Sequence, residues 1–219
     1  MARLNLEALI TKFFTEYLKN NKEIEIYNEF SLQHELGVFL RGELKGNFQE
    51  EKYKVQFERN VSFFKLDKSK LEEGFVKREI DICIYNEEEK YAIELKFPTN
   101  GQVPEQMYAF IKDIKFMEQV KESGFTGAFS VCLVNNSEFY SLKSKNDDIY
   151  SYFRIEDAEL PSSKEIEKPT GKRDQRIKLK KSYRIKWNEL SKDVNPQIRL
   201  KRDDKNDPIK FYIIQIEKI

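Results

Sequence analysis

The chain has 219 residues, of which 39% are hydrophobic, including 17 Phe and 11 Tyr; this is enough apolar material for one large domain and excludes a wholly disordered chain. The formal net charge is +1, so overall charge alone does not indicate a polyanionic partner. No apolar run approaches the length of a membrane span and the amino terminus lacks the pattern of a secretion signal, so we expect a cytoplasmic protein.

Two amphipathic helices are predicted at the start of the chain. Apolar residues recur at three- and four-residue spacing from Leu4 to Leu18, which predicts the first helix. The second is predicted to begin with Ser31 as its N-cap and to run to about Leu44. Its apolar stripe consists of Leu32, Leu36, Phe39 and Leu40.

The period of the apolar residues then changes to that of strands. Alternating apolar and polar residues predict a strand with one buried face at 55–63. Two more strands are predicted at Glu79–Tyr85 and 90–97, separated by a polar stretch. Cys83 and Cys132 lie in apolar strand-like runs without metal-ligand spacing, so we expect buried free thiols.

A helix and a further strand follow. The helix is predicted to start near Pro104 and to reach about Ser123, with Gly124 as its stop. The continuous apolar run 128–134 predicts a strand that is covered on both faces. Helix, three strands, helix and strand indicate an α/β fold, a mixed β-sheet flanked by helices.

The C-terminal part has a weaker pattern. Strands are predicted at 149–155, 176–179, 183–187 and 210–216, with a loop at 156–175. We expect a core with N-terminal helices over residues 1–145. Residues 146–219 would form a basic, β-rich extension packed on the same domain.

Charge is distributed unevenly along the chain. Residues 161–205 contain 15 Lys plus Arg against seven Asp plus Glu, which gives this segment a net charge of +8. Residues 206–219 are neutral, so residues 1–160 have a net charge of −7 and the whole chain one of +1. Basic side chains that alternate with apolar ones suit contacts to a phosphate backbone. The alternative is an edge strand protected by lysines. The candidate nucleic-acid-binding residues are Lys172, Arg173, Arg176, Lys178, Lys180, Arg184 and Lys186.

The candidate chemistry lies on the two strands 79–85 and 90–97. Side chains alternate along a strand, so Asp81 shares a face with Glu79, and Glu94 shares one with Lys96. A hairpin with a two-residue tip at 87–88 pairs residues whose numbers sum to 175. That register places Asp81 across from Glu94 and Glu79 across from Lys96, at Cβ separations of about 4.5–5.5 Å.

Two adjacent carboxylates and a lysine suit a divalent metal ion. Oxygen ligands favour Mg²⁺ or Mn²⁺ over Zn²⁺, and the lysine would orient a water molecule or stabilise charge on a phosphate. The alternative is a surface ion pair between strands. The acid-x-Lys tripeptide alone is unspecific, because it recurs in this chain in predicted helix, loops or a turn, beginning at Glu43, Glu50, Glu88, Asp113 and Asp203.

An acid on one strand followed by (D/E)-x-K on the next, between two helices, resembles the PD-(D/E)xK superfamily of restriction-endonuclease-like nucleases. The resemblance covers roughly residues 30–135, with Asp81, Glu94 and Lys96 at the motif positions. It departs from the family in having Ile80 where a proline usually stands. The resemblance implies an αβββαβ core and Mg²⁺-dependent hydrolysis of phosphodiester bonds.

The resemblance also implies a metal-binding acid on the helix before the sheet. We assign this role to Glu35, with Glu43 as the substitute; the alternative is an acid that only favours the helix dipole. Gln106 is a possible accessory residue, because some of these nucleases have a Gln at this place, and otherwise it faces solvent. Glu79 is the other possible accessory residue.

These features lead to a functional hypothesis, a metal-dependent DNA nuclease that cuts as an endonuclease, with a homodimer as one assembly that would cut both strands of a duplex. A non-catalytic nucleic-acid-binding module with the same fold and an RNA-directed nuclease are the alternatives. His34 is the only histidine and no G-x-S-x-G occurs, which argues against a hydrolase with a serine or cysteine nucleophile.

Overall fold

The computed structural model describes residues 4–47, 52–66, 74–99, 102–142, 148–170, 175–190 and 208–217. The first helix comprises α1 (Leu6–Lys12), a π-helical segment (Phe13–Tyr17) and α2 (Leu18–Asn20). The other helices are α3 (Glu29–Asn47), α4 (Val103–Glu122) and the short α5 (Ser151–Arg154). Among these residues no helix is both long and apolar enough to cross a membrane.

The strands form one large sheet and two small ones. The large sheet contains β1 (Lys54–Asn60), β2 (Glu79–Tyr85), β3 (Lys90–Lys96), β4 (Gly127–Val134), β9 (Asn188–Glu189) and β10 (Lys210–Gln215). Its order is β1-β2-β3-β4-β10-β9, and among the pairs that the described residues form in it, only β3–β4 is parallel. The small sheets pair β5 (Glu159–Leu160) with β8 (Tyr183–Arg184), and β6 (Ile166–Glu167) with β7 (Arg176–Ile177). The predicted mixed sheet flanked by helices is thus confirmed.

Each face of the sheet buries a separate hydrophobic cluster. Ile82, Ile93 and Leu95 pack in one cluster with Leu32 and Leu36 of α3. On the opposite face, the small residues of β3 and β4 pack against α4, together with the two buried free cysteines. Burial of each large aliphatic side chain stabilises the fold by roughly 1.5–3 kcal/mol. The fold therefore fixes β3 between α3 and α4.

Helix α3 begins before the predicted position. Asn28 Oδ1 accepts a hydrogen bond from Ser31 N at 2.8 Å, and Ser31 Oγ accepts one from Asn28 N at 3.0 Å. These reciprocal bonds are those of a capping box in which Asn28 is the N-cap and Ser31 the third helical residue. The prediction of Ser31 as N-cap was wrong for this reason, and it left Glu29 outside the helix.

Other boundaries also differ from the predicted ones. Helix α4 has Pro104 in its first turn and Gly124, at φ 108°, just beyond its end, as predicted. The strand predicted at 149–155 is wrong, because Asp148–Tyr150 is a 3₁₀ turn that leads into α5. Ile149 and Phe153 are both buried at a four-residue spacing, which is a helical period. The last strand, β10, lies inside the large sheet between β4 and β9.

Candidate active site

The hairpin β2–β3 has the predicted register. Its four pairs run from Ile82↔Ile93 to Tyr85↔Lys90, and all sum to 175. The tip is closed by a hydrogen bond from Asn86 N to Glu89 O at 3.0 Å. Asp81 and Glu94 lie directly beyond the last of these pairs, where the Asp81 carboxylate accepts a hydrogen bond from Leu95 N at 2.7 Å. The side chain of Asp81 is therefore fixed against β3, beside Glu94.

Glu94 is fully buried and interacts with a lysine that sequence reasoning missed. Its side chain is 0% exposed, and Oε2 forms an ion pair with Lys77 Nζ. Oε1 is also buried and has no hydrogen-bond partner among the described residues. Lys77 lies in the segment before β2, and its Nζ also contacts Asp113 Oδ1 at 3.0 Å. The Lys77 ammonium therefore links Glu94 of β3 to Asp113 of α4.

Lys96 joins three elements at the end of β3. Its Nζ lies 2.9 Å from Glu29 Oε1 on α3 and 3.6 Å from Asp113 Oδ2 on α4. It also donates to Leu95 O at 3.1 Å, and Glu29 Oε2 accepts from Phe97 N at 3.3 Å. The predicted partner of Lys96, Glu79, is exposed at the start of β2 and pairs through its backbone with Asn60 of β1. Lys96 is thus held by Glu29 and Asp113 instead.

Asp113 is the second residue that sequence reasoning missed. It is buried, and it lies three residues after Phe110 and four before Met117, inside the apolar stripe of α4. A carboxylate on a buried helical face is costly unless it is paired, and this one has Lys77 and Lys96 as partners. Its position in the stripe was a signal that could have found it.

Burial and neighbouring charges perturb the ionisation of this cluster. Burial raises the pKa of Asp81 from 3.8 to about 7, against the opposing effect of Lys77. Burial, together with the charges of Asp81 and Asp113, also raises the pKa of Glu94 well above its usual value. For Lys96, burial lowers the pKa but Asp113 and Glu29 raise it more, so its ammonium stays charged. Perturbed carboxylates beside a fixed cation are typical of functional sites.

The acid of α3 that reaches this cluster is Glu29 and not Glu35, the residue that the sequence predicts for this role. Gln33 lies one turn after Glu29 and donates to Asp81 O at 2.7 Å and Glu58 Oε1 at 2.5 Å. Glu35 follows Gln33 by two residues, or about 200° around the helix, and so faces away from Asp81. Its Oε1 lies 3.5 Å from His34 Nδ1. Its charge also adds to the effect of burial in raising the pKa of Tyr17. The substitute, Glu43, forms an ion pair with Lys12 at 3.0 Å.

Gln106 lies at a cleft next to the cluster. The cleft has a volume of about 320 Å³ and includes Glu29, so it adjoins the Lys96 ammonium. Its other walls come from the start of α3, the end of β3 and the first turn of α4. The lining residues are Asn28, Glu29, Phe30, Phe97, Pro98, Thr99 and Gln106.

The basic C-terminal residues are partly paired. Arg176 forms ion pairs with Glu165 and Glu167 at 3.3 and 3.0 Å, and Arg184 contacts Glu159 at 3.2 Å. Such exposed pairs are each worth at most about 1 kcal/mol, so these arginines can exchange a carboxylate partner for a phosphate group at little cost. Lys180 pairs with Glu122 at 2.6 Å, Lys178 and Lys186 are exposed, and Lys172 and Arg173 lie outside the described residues.

Glu118 anchors this basic segment to α4. Its buried carboxylate accepts hydrogen bonds from the backbone N–H groups of Lys180 and Lys181 at 2.9 and 3.0 Å, and from the hydroxyl of Tyr183 at 3.0 Å. A buried carboxylate is tolerated when it is hydrogen-bonded in this way. The interaction fixes the C-terminal segment on the same helix that carries Asp113.

The side chains at this place that could hold a metal ion are carboxylates. In the described ranges no three His, Cys, Asp or Glu residues form a ready cage for a metal ion. Mg²⁺ commonly uses one or two protein carboxylates and retains several water molecules, so such a cage is not required. Asp81 and Glu94 fit this pattern, since they lie side by side and Glu94 has a buried oxygen without a hydrogen-bond partner.

Comparisons of this chain with models of known families, with curated proteins and with solved structures found no match.

Proposed function

We propose that this protein is a divalent-metal-dependent nuclease that hydrolyses phosphodiester bonds in DNA, with its active site at Asp81, Glu94 and Lys96. The observation that supports the proposal lies at the junction of β2 and β3, just beyond the last observed pair, where the Asp81 carboxylate accepts a hydrogen bond from Leu95 N, the residue between Glu94 and Lys96. This placement on an apolar hairpin is what distinguishes Glu94 and Lys96 from the other acid-x-Lys tripeptides of the chain.

The charge of the cluster supports a divalent cation. Asp81, Glu94, Asp113 and Glu29 are four carboxylates against the two ammoniums of Lys77 and Lys96, which leaves a formal charge of −2 when all are ionised. A divalent cation compensates this charge, and oxygen-only ligands suit Mg²⁺ or Mn²⁺. Asp81 and Glu94 are the residues that would hold it. A bound metal ion supplies polarisation of the phosphate and a lowered pKa for a water molecule.

The residues of the chain itself have separate tasks in this proposal. Lys96 stabilises the negative charge that develops on the phosphate, because its raised pKa keeps it charged and unsuited to accept a proton. Glu29 positions the Lys96 ammonium at 2.9 Å. The Leu95 N–H holds one oxygen of Asp81 at 2.7 Å and so fixes its carboxylate against β3.

The order of the elements also favours the proposal. Helix α3, the antiparallel strands β1, β2 and β3, helix α4 and the parallel strand β4 follow one another as in the αβββαβ core that the PD-(D/E)xK resemblance implies. The role of the helix acid in such a core falls to Glu29. The exposed basic residues of the C-terminal part, such as Lys178 and Lys186, provide candidate contacts to the DNA backbone.

Cleavage assays test the proposal. Supercoiled plasmid and labelled single-stranded DNA and RNA are incubated with the protein in Mg²⁺, Mn²⁺ or EDTA, beside Asp81→Ala and Lys96→Ala variants. We expect metal-dependent cleavage of DNA that both substitutions abolish, with circular dichroism as the control for folding. Cleavage in EDTA, or full activity of both variants, refutes the assignment. Binding of DNA without cleavage in any condition favours the non-catalytic module.

A further inference from the structure

A lysine occupies the place where the buried carboxylates of the candidate site converge. Lys77 Nζ contacts Glu94 Oε2 and lies 3.0 Å from Asp113 Oδ1. The side chains of Glu94 and Asp113 are 0% and 4% exposed, whereas that of Lys77 is 25% exposed. Lys77 is therefore the cation that these two carboxylates hold, and it is the more solvent-accessible partner.

One ammonium does not satisfy both carboxylates. Glu94 Oε1 and Asp113 Oδ2 are buried and have no hydrogen-bond partner among the described residues, although Asp113 Oδ2 lies 3.6 Å from Lys96 Nζ. An ammonium has three donors and a single charge, so it leaves acceptor capacity and negative charge in place. The buried Glu94 oxygen is an unused ligand position next to Asp81.

The side chain of Lys77 can leave without unfolding its segment. The backbone on both sides of Lys77 is anchored elsewhere, by Val76 N to Gln119 Oε1 at 2.9 Å and by Val61 N to Arg78 O at 2.8 Å. The four-carbon stem of a lysine is flexible and ends in a strongly hydrated charge. Rotation of this stem alone therefore frees Glu94 Oε2 from its ion pair.

We propose that Lys77 is the resident counter-cation of this centre and that a divalent metal ion binds Glu94 by displacing it. The inference rests on the proposed function, since it concerns how the same site acquires its metal. Lys77 then has two effects. It keeps the buried carboxylates paired when the metal is absent, and it weakens the apparent affinity for the metal by competing with it.

The first test measures metal affinity in the full-length chain. Mn²⁺ is titrated by calorimetry into metal-free wild-type protein, Lys77→Met and the control Lys112→Met, which removes an exposed lysine of α4. If Lys77 occupies Glu94 for nine-tenths of the time, Lys77→Met tightens the apparent affinity about tenfold. Lys112→Met should equal the wild type. Equal or weaker affinity in Lys77→Met, with binding in the wild type, overturns the role of Lys77 but leaves the proposed metal site intact.

The second test needs no substitution, so a folding defect cannot obscure it. The wild-type protein is acetylated briefly with and without Mn²⁺, and the rates of Lys77 and Lys112 are compared by peptide mass spectrometry. Displacement predicts a several-fold faster reaction of Lys77 with Mn²⁺ and an unchanged rate for Lys112. An unchanged rate of Lys77 at saturating Mn²⁺ overturns the inference. Absence of Mn²⁺ binding in both the wild type and Lys77→Met overturns the proposed function together with it.

Discussion

Replacement of Asp81 by Asn should stabilise the metal-free protein at neutral and alkaline pH. The pKa of Asp81 is raised from 3.8 to about 7, mainly because the side chain is buried. A raised pKa in the folded state means that ionisation of this group opposes folding. The protonated Asp81 carboxyl contributes favourably to the free energy of unfolding below about pH 4, and this contribution is lost as the pH rises to about 7. An amide cannot ionise, and its oxygen can still accept the hydrogen bond from Leu95 N.

The size of the effect follows from the shift. About three pKa units correspond to at most about 4 kcal/mol, at 1.36 kcal/mol per unit. We expect Asp81→Asn to match the wild type near pH 4 and to exceed its free energy of unfolding by a few kcal/mol at pH 8. Urea denaturation in EDTA at four pH values between 4 and 8.5 measures this difference. Glu87→Gln, at the exposed hairpin tip, is the matched control.

A difference between Asp81→Asn and the wild type that stays constant with pH would refute this reasoning. So would a variant that is less stable than the wild type at pH 8. The same substitution should abolish metal-dependent cleavage. A variant that is more stable and inactive would show that the wild type retains a destabilising carboxylate for the sake of activity.

Three further predictions concern other parts of the molecule. Glu29→Gln should lower cleavage about tenfold or more, because it loosens Lys96, while Glu35→Gln changes it little; equal effects in a single-turnover assay would contradict the assignment of Glu29. A methyl group at position 37 would clash with the ring of Phe57, so Gly37→Ala should destabilise the protein by about 1–3 kcal/mol in thermal unfolding, and an unchanged midpoint would argue against this packing. Replacing both Lys178 and Lys186 by Gln in an inactive variant should weaken DNA binding and reduce the salt slope by about 2, whereas an unchanged slope would place the DNA elsewhere.

The hairpin was predictable because its signals are local. Alternation of apolar residues in β2 and β3 and the two-residue tip define the register, and the observed pairs follow it. Since Asp81 and Glu94 follow the last of these pairs, their proximity could also be predicted. What the local pattern did not contain is that the strand pairing ends at Ile82 and Ile93, and that the Asp81 carboxylate accepts a hydrogen bond from Leu95 N.

The rest of the cluster depends on tertiary packing. Glu29 was missed because the helix was predicted to start at Ser31, and a helix acid can be placed on a face only once the start is known. Lys77 follows Phe75 and Val76 in a short segment before β2 that has no apolar period, so no sequence pattern relates it to Glu94, 17 residues later. Asp113 differs from these, since its place in the apolar stripe of α4 was visible in the sequence.

The most direct test of the proposed active site is Glu94→Gln in a single-turnover assay. This substitution preserves the shape of the buried side chain but removes its charge. An end-labelled DNA duplex is mixed with excess wild-type or variant protein in Mn²⁺, with EDTA as the stop and as a separate control. We expect cleavage by the wild type in Mn²⁺, none in EDTA, and a loss of at least about 100-fold in the variant. Cleavage by Glu94→Gln at the wild-type rate would contradict this expectation.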